Sequence, residues 1–149
     1  EHCKDEIIDT LEIKPEIIKI ANQLIPKTDK ELVSIHIRRT DYLVLGDYHS
    51  LNGVDYVNSA IELLGGENNY HFLICSDDTN WCQTIWGDNK NFTIINGESS
   101  YVDFTVMSLC HHHIISNSSF SWWSSYLSKN KKNVLYLIKS ILYSININF

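Results

Sequence analysis

The feature that most constrains this chain is an alternation. Between residues 32 and 138, short apolar or β-branched runs take turns with segments of helical period, each about ten residues long. The runs 32–37, 70–75, 92–95, 113–116 and 134–138 read as strands. The segments 54–64, 79–86, 101–110 and 118–127 read as helices. Strands joined through helices run parallel, because only a long crossover returns the chain to the starting edge of the sheet. The pattern predicts an α/β fold, a Rossmann-like parallel sheet with flanking helices.

Local signals support these boundaries. Gly65-Gly66 offers a left-handed stop for the first of the four helices. Asp77, Asp78 or Thr79 can cap the second, Ser99 or Ser100 the third, and Asn117 or Ser118 the fourth. Residues 1–31 form a separate amphipathic segment expected to be helical, in which Pro15 either breaks a helix or opens a second one at its first turn. Residues 32–149 read as one domain. The apolar tail beyond 138 fits neither a helix nor a strand template better than the other.

Parallel sheets bind ligands at the carboxyl ends of their strands, where loops lead into helices. Three polar clusters fall on that edge. His36, Arg38 and Arg39 follow the first strand, Asp77 and Asp78 the second, and Asn117, Ser118 and Ser119 the fourth. A planar guanidinium presents a fork of donors that matches phosphate and keeps its charge when partly buried. The competing use of the arginines is an ion pair from Arg38 or Arg39 to Asp41. "ISNSSFSWW" puts small hydroxyl residues at a helix start, where free N–H groups and the dipole favour an anion. The same hydroxyls also serve as plain caps. Trp122 and Trp123 cannot both face the core from one helix, so at least one should seal against a neighbour or a ligand. The Asp77-Asp78 pair suits a metal, acid–base chemistry or a ribose hydroxyl, or else simply caps the next helix.

Composition narrows the partners. The net charge is −6 with no run of Lys or Arg, which argues against nucleic acid as the main partner. No apolar stretch reaches the roughly 20 residues of a membrane span. Cys3, Cys75, Cys82 and Cys110 are widely spaced, the pattern of free buried thiols in a reducing compartment. The histidines of "LCHHHII" point in different directions and lack a second cluster at zinc-finger spacing, so no metal site is expected. The sequence has no GxGxxG after its first strand, no GxxxxGK(S/T) and no GxSxG, which disfavours dehydrogenases, P-loop NTPases and α/β-hydrolases.

Three segments carry a family resemblance. "HIRRTDY" (36–42), "CSDD" with "WC" behind it (75–82) and "DFTVMSLCHHHIISNSSFSWWSSYL" (103–127) are similar, in order and spacing, to the α1,2-fucosyltransferases of glycosyltransferase family 11. The resemblance covers residues 32–127. It implies the donor-binding domain of a GT-B-type glycosyltransferase, with GDP-β-L-fucose as donor. It implies inverting transfer of L-fucose to the 2-hydroxyl of a galactose-terminated glycan, with no cofactor and no obligatory metal. By the same resemblance, Arg38 holds the β-phosphate of the leaving GDP, with His36 and Arg39 as companions. Asp103 reads the guanine edge, Ser118 and Ser119 belong to the diphosphate cradle, and Asp77 serves ribose or the structure. Members of that family are typically much longer, so a fragment, a shortened form or a non-catalytic GDP-sugar-binding domain is expected. The compartment stays open: cytoplasmic for a microbial or viral source, membrane-associated or Golgi for a truncated eukaryotic enzyme.

Overall fold

The computed structural model describes residues 12–40, 53–97, 99–130, 132–138 and 141–145, with side chains described as far as Lys132. The elements are α1 (Pro15–Leu24), β1 (Glu31–Ile37), α2 (Val54–Leu63), a 3-10 turn (Glu67–Asn69), β2 (Tyr70–Ser76), α3 (Thr79–Trp86), β3 (Phe92–Ile94), α4 (Ser100–Ser108), β4 (His112–Ile115), α5 (Ser119–Leu127), β5 (Asn133–Ile138) and β6 (Ile141–Ile145). They build one sheet in the order β3-β2-β1-β4-β5-β6. The first five strands pair in parallel, and β6 returns antiparallel on β5. Within the tail that sequence period leaves undecided, Ile141–Ile145 is a strand. The expected loop 40–50 lies outside the described residues beyond Thr40, as do Cys3 and Asp41.

Each boundary has a local cause. Pro15 stands in the first turn of α1, where its missing N–H costs nothing. Ile25 ends the helix in an extended conformation, as a residue before proline prefers. After α2, Gly65 and Gly66 take φ of 98° and 90°. Their N–H groups reach back to Glu62 and Ile61 in the paired pattern of a Schellman stop. Asp78 caps α3 by accepting a hydrogen bond from the Trp81 N–H.

The sheet separates two cores. On one side Val33, Ile35 and Ile37 of β1 join Phe72 and Ile74 of β2, with Val57 and Ile61 of α2 and Trp86 of α3. On the other side Leu73 and Cys75 pack with Val102, Val106 and Met107 of α4 and Ala21 of α1. Alternation along β1 sends Ser34 and His36 to this second side. Ser34 Oγ meets His113 Nδ1 at 2.9 Å, and His36 Nδ1 meets Ser116 Oγ at 2.6 Å. The helix over this polar seam, α5, buries Ser121, Ser124 and Ser125 and leaves Trp122 and Trp123 45% and 38% exposed. The two indoles stand edge to face, with Tyr126 stacked on Trp122. Neither tryptophan faces the core; serines do, and their small size lets helix and sheet approach closely.

The consecutive histidines are structural. His111 Nδ1 accepts from the Leu32 N–H, His112 Nε2 meets Glu31 at 2.8 Å, and His113 pairs with Ser34. Among the described residues, no group of three or more His, Cys, Asp or Glu could hold a metal ion. Cys75, Cys82 and Cys110 are free and buried. No described helix is long and apolar enough to cross a membrane.

Candidate functional site

The crossovers leaving β1 and β4, which are neighbours in the sheet, go to opposite faces. Such a switch opens a crevice beyond the carboxyl ends of the strands. A cavity of about 290 Å³ lies there. Its floor is His36 from β1 with Cys75 and Ser76 from β2, and its polar walls are Arg38, Asp77 and Asp103. Gly97, Ser99 and Ser100 bring the amino end of α4 to it, and Phe120 of α5 closes one side.

Asp77 shapes the way the chain leaves β1. Its carboxylate accepts from the backbone N–H groups of Arg39 and Thr40 and from the Thr40 hydroxyl. The Arg38 Nε lies 3.4 Å from the same carboxylate. One aspartate just past the end of β2 therefore latches the turn that carries Arg38. Arg39 goes elsewhere: its Nε donates to Asp78 at 3.1 Å and its guanidinium lies 4.1 Å from the Trp81 ring centre. The carboxylates described beside the two arginines are Asp77 and Asp78; the expected alternative partner, Asp41, lies outside the described residues.

Burial sets the charges. It holds the His36 imidazole neutral, pushing its pKa down to about 4; the Asp77 carboxylate opposes this and the Arg38 cation adds to it. Burial raises the Asp103 carboxyl above its usual range, partly offset by the Gly97 N–H. Asp103 Oδ1 is buried with no hydrogen-bond donor. A β-carbon on residue 97 would sit 2.2 Å from that oxygen, so any other residue there would push the carboxylate aside. A buried carboxylate oxygen left without a donor costs free energy, and on a cavity wall it calls for a ligand with N–H groups.

The cavity thus collects His36, Arg38, Asp77 and Asp103 of the sequence-expected residues. Arg39 braces the loop. Ser118 is the N-cap residue of α5, its carbonyl accepting from Ser121 and Trp122. Ser119 lines a separate, larger groove of about 790 Å³. That groove is walled by Tyr101, Phe104, Trp123 and Leu127 and shares Phe120 with the polar cavity. Its walls are mostly apolar, with Glu12 and Lys14 among them, whereas the smaller cavity gathers Arg38, Asp77 and Asp103 at the carboxyl ends of the strands. Sequence reasoning does not single out Gly97, Ser116 or Phe120. A strand-to-helix turn reading "NGESS" on the ligand-binding edge is a signal for the first.

The class that emerges is α/β: a parallel sheet with flanking helices, with Arg38, Asp77 and Asp103 lining its switch-point crevice. Solved structures share this architecture at low sequence identity. The NodZ α-1,6-fucosyltransferase co-crystallised with GDP superposes with a TM-score of 0.62 at 13% identity, over 92% of this chain and 48% of that one. The fucosyltransferase NodZ from Bradyrhizobium gives 0.62 at 15% identity, over 89% and 47%. The model of glycosyl transferase family 11 matches residues 3–145, and the chain belongs to that family. Among curated relatives, the O-antigen biosynthesis glycosyltransferase WbnK of Escherichia coli is 27% identical over 84% of this chain and 45% of its own length. An alpha-1,2-colitosyltransferase of Escherichia coli is 37% identical over 64% and 36%. The galactoside alpha-(1,2)-fucosyltransferase 1 of Bos taurus is 25% identical over 64% and 29%. The chain therefore spans less than half the length of the relatives it matches.

Proposed function

We propose that this chain binds GDP-β-L-fucose as the donor half of a galactoside α1,2-fucosyltransferase, which transfers L-fucose with inversion to the 2-hydroxyl of a galactose-terminated glycan. The observation that carries the reading is the orphaned Asp103 Oδ1 on the same cavity as Arg38. Guanine offers a ring N–H and an exocyclic amine side by side, the donors that a carboxylate wants. The guanidinium of Arg38 faces the diphosphate. As the bond from fucose to phosphate breaks, negative charge grows on the departing GDP and positive character on the sugar. A fixed arginine and the backbone N–H groups of nearby helix starts stabilise that charge, and in this reading no metal is assigned to the step. Asp77 acts by holding the Arg38 turn, and the neutral His36 adds a hydrogen bond rather than a charge. The rest of the enzyme supplies the acceptor contacts.

Calorimetric titration with GDP tests the donor site, with Asp103→Ala expected to abolish the heat. No heat for the wild-type chain at millimolar GDP would overturn the reading. A transfer assay on lactose then separates a transferase from a non-catalytic GDP-sugar-binding domain, which binds without turnover. A second sugar has its own support: the colitosyltransferase is 37% identical, against 25% for the bovine fucosyltransferase. Running the assay with fucosyl and colitosyl donors in competition decides between them.

A further inference from the structure

We infer that Ser116 is a positioning residue of the donor site: its hydroxyl fixes the His36 ring so that Nε2 faces the cavity. The consequence for reaction rests on the donor-site reading above; the geometry does not. Nδ1 of His36 and Oγ of Ser116 are 2.6 Å apart, and both residues are buried. With Nδ1 taken up by Ser116, Nε2 is the nitrogen left for the cavity that His36 lines. Phe120 covers the ring from the side, its centroid 5.5 Å away and tilted by 47°. One edge of the imidazole is tied and one face is covered, so its direction is set before any ligand arrives.

The choice of a hydroxyl has a chemical reason. A neutral imidazole carries one N–H, so its two nitrogens take opposite roles. A diphosphate oxygen accepts hydrogen bonds and therefore selects the form with a proton on Nε2. Nδ1 is then a lone pair, and Ser116 must donate to it. A carboxylate at residue 116 would demand a proton on Nδ1 and turn the Nε2 lone pair toward the anion. Ser121 completes the device. Its hydroxyl can donate to the Ser118 carbonyl at 3.1 Å or the Ser116 carbonyl at 3.4 Å, and its oxygen lies 3.4 Å from the Ser116 hydroxyl. Ser116 therefore has a second acceptor to turn to when Nδ1 is protonated. The pair of serines accommodates either tautomer, and a bound anion chooses between them.

Nitrogen-15 NMR of the full chain reads the His36 tautomer directly, with and without GDP. Three variants join the wild type: Ser116→Ala, Ser116→Thr and Ser124→Ala. Ser124 is buried on α5 but bonds the Ser121 carbonyl and the Met107 sulfur. In wild type, GDP should drive His36 to the Nε2–H form. Ser116→Ala should shift the tautomer balance and weaken GDP about fivefold to tenfold, the size of one lost hydrogen bond. Ser116→Thr should restore both, and Ser124→Ala should change neither. The proposal fails if Ser116→Ala matches wild type in either readout, or if Ser124→Ala loses GDP equally, which would mark a packing effect. A wild-type chain with a Ser116-dependent tautomer and no GDP binding would instead defeat the donor reading and leave the positioning role standing.

Discussion

The two faces of β1 are built from opposite materials. Toward α2 and α3 the strand presents Val33, Ile35 and Ile37 to a core of Phe72, Ile74 and Trp86. Toward α5 it presents Ser34 and His36, each held by a partner from β4 or just beyond it. The strand is buried on both sides, as parallel strands are. Burial on the first face is stabilising because apolar area leaves water. Burial on the second is tolerated because Ser34 and His36 each find a hydrogen-bond partner, and it yields direction rather than stability. The comparison teaches that a buried polar seam in a parallel sheet fixes the direction of its side chains, which at His36 is toward the cavity.

The sharpest way to break this comparison is to damage one face and read the other. Phe72→Ala should cost about 3–5 kcal/mol in urea unfolding, since Phe72 is fully buried and stacked on Phe92. GDP affinity of the remaining folded protein should hold. Affinity falling in step with stability would show that the two faces are not separable. On the ligand side, Arg38→Ala should reduce transfer by about 10²–10³ while the melting temperature stays put. Arg38→Lys should not rescue it, because a point charge lacks the fork; near-normal turnover in the lysine variant would remove Arg38 from its role.

Gly97→Ala is a smaller and more local intrusion. The new methyl would displace the Asp103 carboxylate, and GDP binding should drop about tenfold or more, as for a lost hydrogen bond to a charged group. Unchanged calorimetry would dissociate Asp103 from the nucleotide. The gentlest probe is pH. The His36 pKa is about 4 in the folded chain against an ordinary 6.5, so the unfolded state takes its proton first as pH falls. Stability is full above 6.5 and should decline between 6.5 and about 4. Glu31, with its pKa lowered from 4.5 to about 2, adds loss only below 4.5. Burial also lowers the His71 pKa, so His71 shares the upper window. His36→Gln should shrink the slope there and leave the lower window, and an unchanged slope between 6.5 and 4.5 would assign it to His71.

Much of this was legible in the chain itself. Strand and helix periods, the double glycine after α2 and the Asp78 cap all follow from neighbours within a few residues. Parallel pairing then fixed the edge on which His36, Arg38 and the acids meet. What was not legible depends on distant pairs. Asp77 latches a turn 38 positions earlier in sequence, and Ser116 meets His36 across 80. Neither spacing leaves a periodic trace. The antiparallel β6 was hidden for a related reason: a strand at the border of a sheet is defined by what it pairs with, and its sequence alone resembles a buried helix segment.

The outward turn of the α5 indoles has an optical consequence. Trp86 is 5% exposed and Trp81 packs edge to face on it, while Trp122 and Trp123 are 45% and 38% exposed. Iodide should quench Trp122 and Trp123 ahead of Trp86, so loosening of α5 and unfolding of the opposite face can be followed as separate signals in one unlabelled sample.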